Sequence, residues 1–169
     1  MKLKYVEGDL FSGKPKVILH GCNTMGGFGS GFAGTLKKLY PEAADAYYAE
    51  HKKDALFLGT VLWVESKGVL IGNCMTQPTY GRDGKQHVSY EAFESCMRSV
   101  NQAAEDGIPG TIAENGFSEL SMPMIGADLG GGDWTILAQI ISKQLVSVTP
   151  TVYVYPGSKH DIRTLPNFG

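Results

Sequence analysis

Two stretches of the 169-residue chain combine the residue types that hold phosphate through backbone amides. The first, His20-Gly21-Cys22-Asn23-Thr24-Met25-Gly26-Gly27-Phe28-Gly29-Ser30-Gly31-Phe32-Ala33-Gly34, leaves an apolar run and enters a helical pattern. Glycines let N–H groups approach phosphate oxygens without a Cβ in the way, and the helix that follows adds partial positive charge at its start. The second, Met124-Ile125-Gly126-Ala127-Asp128-Leu129-Gly130-Gly131-Gly132-Asp133-Trp134, repeats the design of strand, glycine-rich loop and capped helix. Two such loops can grip a diphosphate from both sides.

Two better-known phosphate motifs fail on context. Gly29-Ser30-Gly31-Phe32-Ala33-Gly34 spells G-x-G-x-x-G, but eight residues separate it from His20, and a dinucleotide fold needs its first glycine directly after the strand. Gly8-Asp9-Leu10-Phe11-Ser12-Gly13-Lys14-Pro15 nearly spells a Walker A loop. Pro15 stands where a hydroxyl would hold Mg²⁺, and a strand follows in place of a helix.

The elements that must position these loops alternate between strand and helix. Residues 2–7 read as an edge strand and 16–20 as a buried one. Helical patterns follow at 35–40 and from Pro41 to about Lys52, with the proline suited to a first helical turn. Val61-Leu62-Trp63-Val64 and Val69-Leu70-Ile71 flank Ser66-Lys67-Gly68 as a β-hairpin. Ser89 can cap a long helix with Phe93, Met97, Val100 and Ala104 on one face and Gly107 as its stop. A strand over 119–125 tolerates Pro123 only where no backbone donor is needed. Asp133 can cap a helix carrying Ile136, Leu137, Ile140, Ile141 and Leu145; Thr151-Val152-Tyr153-Val154-Tyr155 is the last strand, and an irregular tail follows. The pattern is α/β with a mixed sheet.

Composition narrows the classes of function. A length of 169 residues and 43% apolar content fit one domain with a real core, expected to span 1–169. A net charge of −2 supplies no general field for nucleic acid or anionic membranes, so a phosphorylated small molecule must be held locally. Cys22, Cys74 and Cys96 lack metal-ligand spacing and fit reduced thiols in a cytoplasmic protein. Met1 to Glu7 lacks the apolar core of a signal peptide, and no membrane span is expected. No metal and no cofactor are called for, and a monomer is expected.

These motifs, in this order, resemble the macro domain family, a three-layer αβα sandwich that binds ADP-ribose above its sheet. Gly8-Asp9-Leu10 is similar to the family's motif at the end of the first strand, which implies that Asp9 accepts from the adenine amine, with Leu10 beside it. The resemblance implies that Asn23 and the run Gly26, Gly27, Gly29, Ser30 and Gly31 reach the distal ribose and pyrophosphate. It implies the same ligand-binding part for Gly126, Ala127, Leu129, Gly130 and Gly131. Tyr155 or Tyr153 is placed to stack on the base. Met75-Thr76-Gln77, Tyr80-Gly81 and Ser89-Tyr90-Glu91-Ala92 are similar to the branch of small phage, bacterial and yeast phosphatases that hydrolyse ADP-ribose 1''-phosphate.

In that branch His20 resembles the histidine implied in hydrolysis, at a strand end facing the phosphate cradle, with Asp128 or Asp83 as a partner carboxylate. Asp128 stands where the family usually has glycine. A second group removes ADP-ribose from protein carboxylates with a lysine at a strand end and an aspartate in the second loop. Here those positions read as Asn73 and Gly130, so that route is not expected. The resemblance leaves open a non-catalytic ADP-ribose-binding module, or a hydrolase of O-acetyl-ADP-ribose or ADP-ribosylated substrates. Cys22 and Cys74 lack the downstream arginine of a cysteine phosphatase loop and read as buried or lining residues.

Overall fold

The computed structural model describes residues 3–168. Its elements are β1 (Lys4–Glu7), β2 (Val17–Asn23), α1 (Gly31–Leu39), α2 (Pro41–Lys52), β3 (Val61–Ser66), β4 (Val69–Gln77), α3 (Tyr90–Asp106), β5 (Glu119–Pro123), α4 (Trp134–Gln144) and β6 (Thr149–Val154). Short 3₁₀ turns cover Leu10–Gly13 and Ile162–Thr164. The strands form one sheet in the order β1-β6-β5-β2-β4-β3, parallel except for β3, which pairs antiparallel with β4.

Alternation at period two in β2 divides the core into two layers. Val17 and Leu19 face Phe93, Met97 and Val100 of α3 and Leu137 and Ile141 of α4. Ile18 and Cys22 face Leu36 of α1 and Ala43 and Tyr47 of α2. Helices therefore cover both faces, giving the expected αβα sandwich around a mixed sheet.

The local signals act where the sequence places them. Ser89 Oγ accepts from Ala92 N at 3.1 Å, and Asp133 accepts from Thr135 N at 2.9 Å. Gly107 ends α3 at φ +80°. The β3–β4 hairpin turns on Lys67 and Gly68 at φ +52° and +75°, the double positive φ of a type I′ turn.

Boundaries differ from expectation at several elements, among them β2, which runs on to Asn23, and β6, which spans Thr149–Val154 and ends before Tyr155. The first strand begins at Lys4, with Lys2 outside the described residues. β4 runs on from Ile71 to Gln77 through Gly72, Asn73 and Thr76, residue types of modest strand preference held there by β2 and β3 on either side. β5 ends at Pro123, short of Ile125, where the missing donor stops the ladder. Leu145 caps α4 from outside the helix.

Candidate functional site

The site lies where neighbouring strands send their connections to opposite faces. β2 and β5 are adjacent and parallel. After β2 the chain turns to α1 on one face, and after β5 it turns to α4 on the other. Such a switch point opens a crevice at the carboxyl ends of the strands, and both glycine-rich loops border it.

The loops approach across that crevice. A Cβ built on Gly31, which sits at φ +57°, would lie 4.0 Å from Leu129 Cδ1. Ser30 makes no side-chain cap on α1, so the first-turn amides of Gly31, Phe32 and Ala33 lack an intrahelical acceptor. In the second loop Gly131 N and Gly132 N donate to Asp128 O and Gly126 O, whereas no acceptor within the described residues is recorded for the amides of Asp128, Leu129 and Gly130. The α4 terminus differs: Asp133 caps it, and Asp133 N donates to Tyr90 Oη at 2.9 Å.

Asn23 is placed differently from the expected ribose ligand. Its Oδ1 accepts from Met25 N at 3.0 Å and Gly27 N at 3.2 Å, and its Nδ2 donates to Gly27 O at 2.8 Å. Tyr47 Oη donates to Asn23 O at 2.7 Å and accepts from Gly26 N at 3.1 Å. Asn23 thus shapes the first loop from within, and Tyr47 braces it. The Tyr80 ring covers Gly27, whose Cβ position would fall 2.6 Å from Tyr80 Cε1. Gly29, Ser30 and Gly31 remain exposed.

Asp9 and Tyr155 meet at one end of the crevice. Gly8 N donates to Val154 O at 3.0 Å, so β1 and β6 end side by side. Asp9 is exposed; its Oδ1 accepts from Phe11 N and its Oδ2 from Ser12 Oγ, both at 3.0 Å. Tyr155 is 76% exposed, whereas the Leu10 and Ala127 side chains are buried and leave only backbone for a ligand.

The catalytic trio read from the sequence is not brought together. His20 lies three residues before the end of β2 and is 1% exposed, under Phe28 and Phe32 with ring centroids at 5.2 and 6.0 Å. Asn73 Nδ2 donates to Ala43 O, so its Oδ1 must accept from His20 Nε2–H at 2.5 Å. Burial lowers the His20 imidazole to about 4, against the opposing bond from Asn73, so the ring is neutral at pH 7. Period two turns it toward α1 and α2, and the aromatic cover separates it from the crevice.

Asp128 pairs with His160 Nε2 and Asp83 with His87 Nε2, each at 2.9 Å, and neither with His20. Asn73 lies inside β4, and the strand-end residue is Gln77; neither is a lysine. Burial pushes the Cys22 thiol well above its ordinary value, and the side-chain hydrogen bond with Cys96, followed by burial, does so for Cys74. Both stay protonated. Among the described residues no three His, Cys, Asp or Glu side chains gather as a metal site.

A model of the macro domain matches residues 19–141. The chain belongs to the macro domain family. This macro domain is 29% identical over 163 residues to the ADP-ribose 1''-phosphate phosphatase of Lodderomyces elongisporus, covering 91% of the chain and 99% of the relative. A macrodomain protein of Streptomyces coelicolor superposes with a TM-score of 0.70 at 30% identity, covering 90% and 99% of the two chains. The Thermosipho africanus DarTG structure, solved in complex with ADP-ribose, superposes at 0.74 and 20% identity, covering 95% of this chain and 43% of that one.

Three residues at or beside the site escaped the sequence reading: His87, His160 and Tyr47. His87 and His160 carry no local motif, and their partners become visible only once the loops fold. Tyr47 reads as ordinary helix core, and it is buried; its hydroxyl at the end of β2 carries the signal.

Proposed function

We propose that this macro domain binds ADP-ribose in the crevice and hydrolyses ADP-ribose 1''-phosphate to ADP-ribose and phosphate. The observation that carries the reading is the pair of facing loops whose amides at 31–33 and 128–130 have no acceptor among the described residues, at a sheet switch point. Such donors suit a pyrophosphate, since charge-assisted bonds from fixed amides are stronger than neutral ones. The Lodderomyces relative, matched over nearly its whole length, supports the choice of substrate. Cys22, Cys74 and Cys96 are unpaired, which suits a cytoplasmic protein.

Asp9 and Tyr155 take the adenine end in this reading, and the loops take the diphosphate. His20 takes a positioning role, holding Asn73 and supporting Phe28 beneath the first loop. The strand-end lysine of the de-ADP-ribosylating route is lacking at both Asn73 and Gln77, which favours phosphate release over that reaction.

The test is phosphate release from ADP-ribose 1''-phosphate, together with calorimetry of ADP-ribose against NAD, ATP and AMP. Saturable heat with ADP-ribose and release of inorganic phosphate are expected. Absence of both ends the reading, and binding without turnover reduces the protein to a recognition module. Tyr155→Ala removes a stacking surface worth about 1–3 kcal/mol per base. Affinity for ADP-ribose is expected to fall roughly tenfold, with an unchanged melting temperature because the ring is exposed.

A further inference from the structure

A threonine, a histidine and an aspartate from the segment between β4 and α3 form a relay that no sequence motif announced. His87 Nε2 lies 2.9 Å from Asp83 Oδ1, and a carboxylate can only accept, so Nε2 carries the proton. The other nitrogen, Nδ1, lies 2.7 Å from Thr79 Oγ1. In the neutral ring that nitrogen has only a lone pair, so the hydroxyl donates to it. The polarity therefore runs from Thr79 through His87 to Asp83, as when a histidine activates a hydroxyl and a carboxylate fixes its tautomer.

The relay is held rigidly beside both phosphate loops. Asp83 Oδ1 also accepts from Lys85 N at 3.0 Å, fixing the turn at Gly84. That bond first, and the His87 contact second, hold the Asp83 carboxyl below its usual range. His87 N and Val88 N donate to Gly130 O at 2.7 and 3.0 Å, tying the base to the second loop. Gln77 Nε2 donates to Thr79 O at 2.7 Å, and the next residue, Tyr80, lies on Gly27 of the first loop. Thr79 is exposed, whereas His87 is 9% exposed. The nucleophile's residue is open to solvent and the base is not.

Strand order places this relay at the far end of the crevice from the adenine end. Asp9 and Tyr155 mark β1 and β6, the loops mark β5 and β2, and Thr79 follows β4. Four interstrand steps of about 4.8 Å put β1 and β4 roughly 19 Å apart. A ligand whose base sits at β1 and β6, and whose diphosphate sits between the loops, carries its terminal ribose toward β4. Arg82 and Lys85 line a cavity of about 340 Å³ beside this segment, with no carboxylate partner recorded for either within the described residues. Lys159 and the Asp128 carboxylate line the same cavity, so a dianionic phosphoryl group would meet three cations and one carboxylate there.

We propose that Thr79 is the nucleophile of the phosphatase, activated by His87 and Asp83; this rests on the function proposed above. Thr79 Oγ forms a bond to phosphorus as the bond from phosphorus to the ribose 1''-oxygen breaks. The threonine proton passes to His87 Nδ1 and then to the leaving oxygen. Water next attacks the phosphothreonine, its proton passes through His87 to Thr79 Oγ, and inorganic phosphate leaves.

Turnover and ADP-ribose affinity of the full chain, measured side by side, test this. Thr79→Val is expected to lower kcat by about 100-fold or more with unchanged ADP-ribose Kd, and Thr79→Ser to restore most of it. Wild-type protein quenched in acid during turnover is expected to show one added phosphoryl group on the tryptic peptide 68–82, which contains Thr79, and His87→Gln, lacking the activating base, to show none. Wild-type turnover in Thr79→Val overturns the relay and leaves the phosphatase reading intact. Parallel loss of kcat and ADP-ribose binding in that variant makes the trio a structural staple and overturns it too. A wild-type protein that releases no phosphate overturns both.

Discussion

Gly31→Val is expected to weaken ADP-ribose binding about 100-fold or more while the protein stays folded. Gly31 is exposed and sits at φ +57°, a conformation that a β-branched residue avoids. Its Cβ would lie 4.0 Å from Leu129 Cδ1, so the branched methyls would enter the gap between the loops. The strain costs about 1–3 kcal/mol and relaxes by shifting the start of α1. That shift displaces the uncapped amides of Gly31, Phe32 and Ala33 from a phosphate. Two charge-assisted bonds at about 1.5–3 kcal/mol each account for a 100-fold loss or more. Gly68→Ala is the control, since Gly68 also has positive φ but lies in the distant hairpin turn with nothing within 4 Å of its Cβ position. It should lose a little stability and no affinity. Calorimetry that gives Gly31→Val the wild-type Kd would remove the facing loops as the phosphate site.

The fold was legible because its local signals agree with its tertiary demands. The caps at Ser89 and Asp133, the stop at Gly107 and the hairpin at Lys67-Gly68 act through neighbours within four residues, so the sequence displays them directly. The far half of β4 was hidden, because Gly72 to Thr76 are made strand by β2 and β3, which lie far away in the chain. The two loops were legible for the reason that any glycine-rich passage from strand to helix is legible. Which loop residues face a ligand was not, because Asn23 turns inward onto Met25 and Gly27 with Tyr47, 24 residues away, bracing it.

The acid–base residues were the least legible part. Histidine type alone does not say which face of a strand it occupies. In β2 the alternation that puts Ile18 and Cys22 under α1 and α2 carries His20 with them. The carboxylates at 83 and 128 found histidines at 87 and 160, one on the same loop and one from the tail. A pairing at i, i+4 outside a helix has no periodic signature, and a tail docking on a loop has none at all.

His20 therefore has a physical consequence that separates support from chemistry. His20→Ala is expected to destabilise the fold by about 3–5 kcal/mol, from a cavity beneath Phe28 and a stranded acceptor at Asn73 Oδ1. His20→Gln keeps a donor for that acceptor and should cost far less. The ring titrates near 6.5 when unfolded and near 4 when folded, so between those values the unfolded chain binds a proton that the folded chain excludes. Its contribution is fully present above pH 6.5 and declines as pH falls toward 4, by about 3 kcal/mol in total. Urea midpoints of the wild type should therefore fall across that window, and those of His20→Gln should lack this component. At pH 7 His20→Gln should retain ADP-ribose affinity and turnover within a few-fold of wild type. A folded His20→Gln that binds ADP-ribose normally yet releases no phosphate would show that the buried imidazole takes part in the reaction, and would overturn its positioning role.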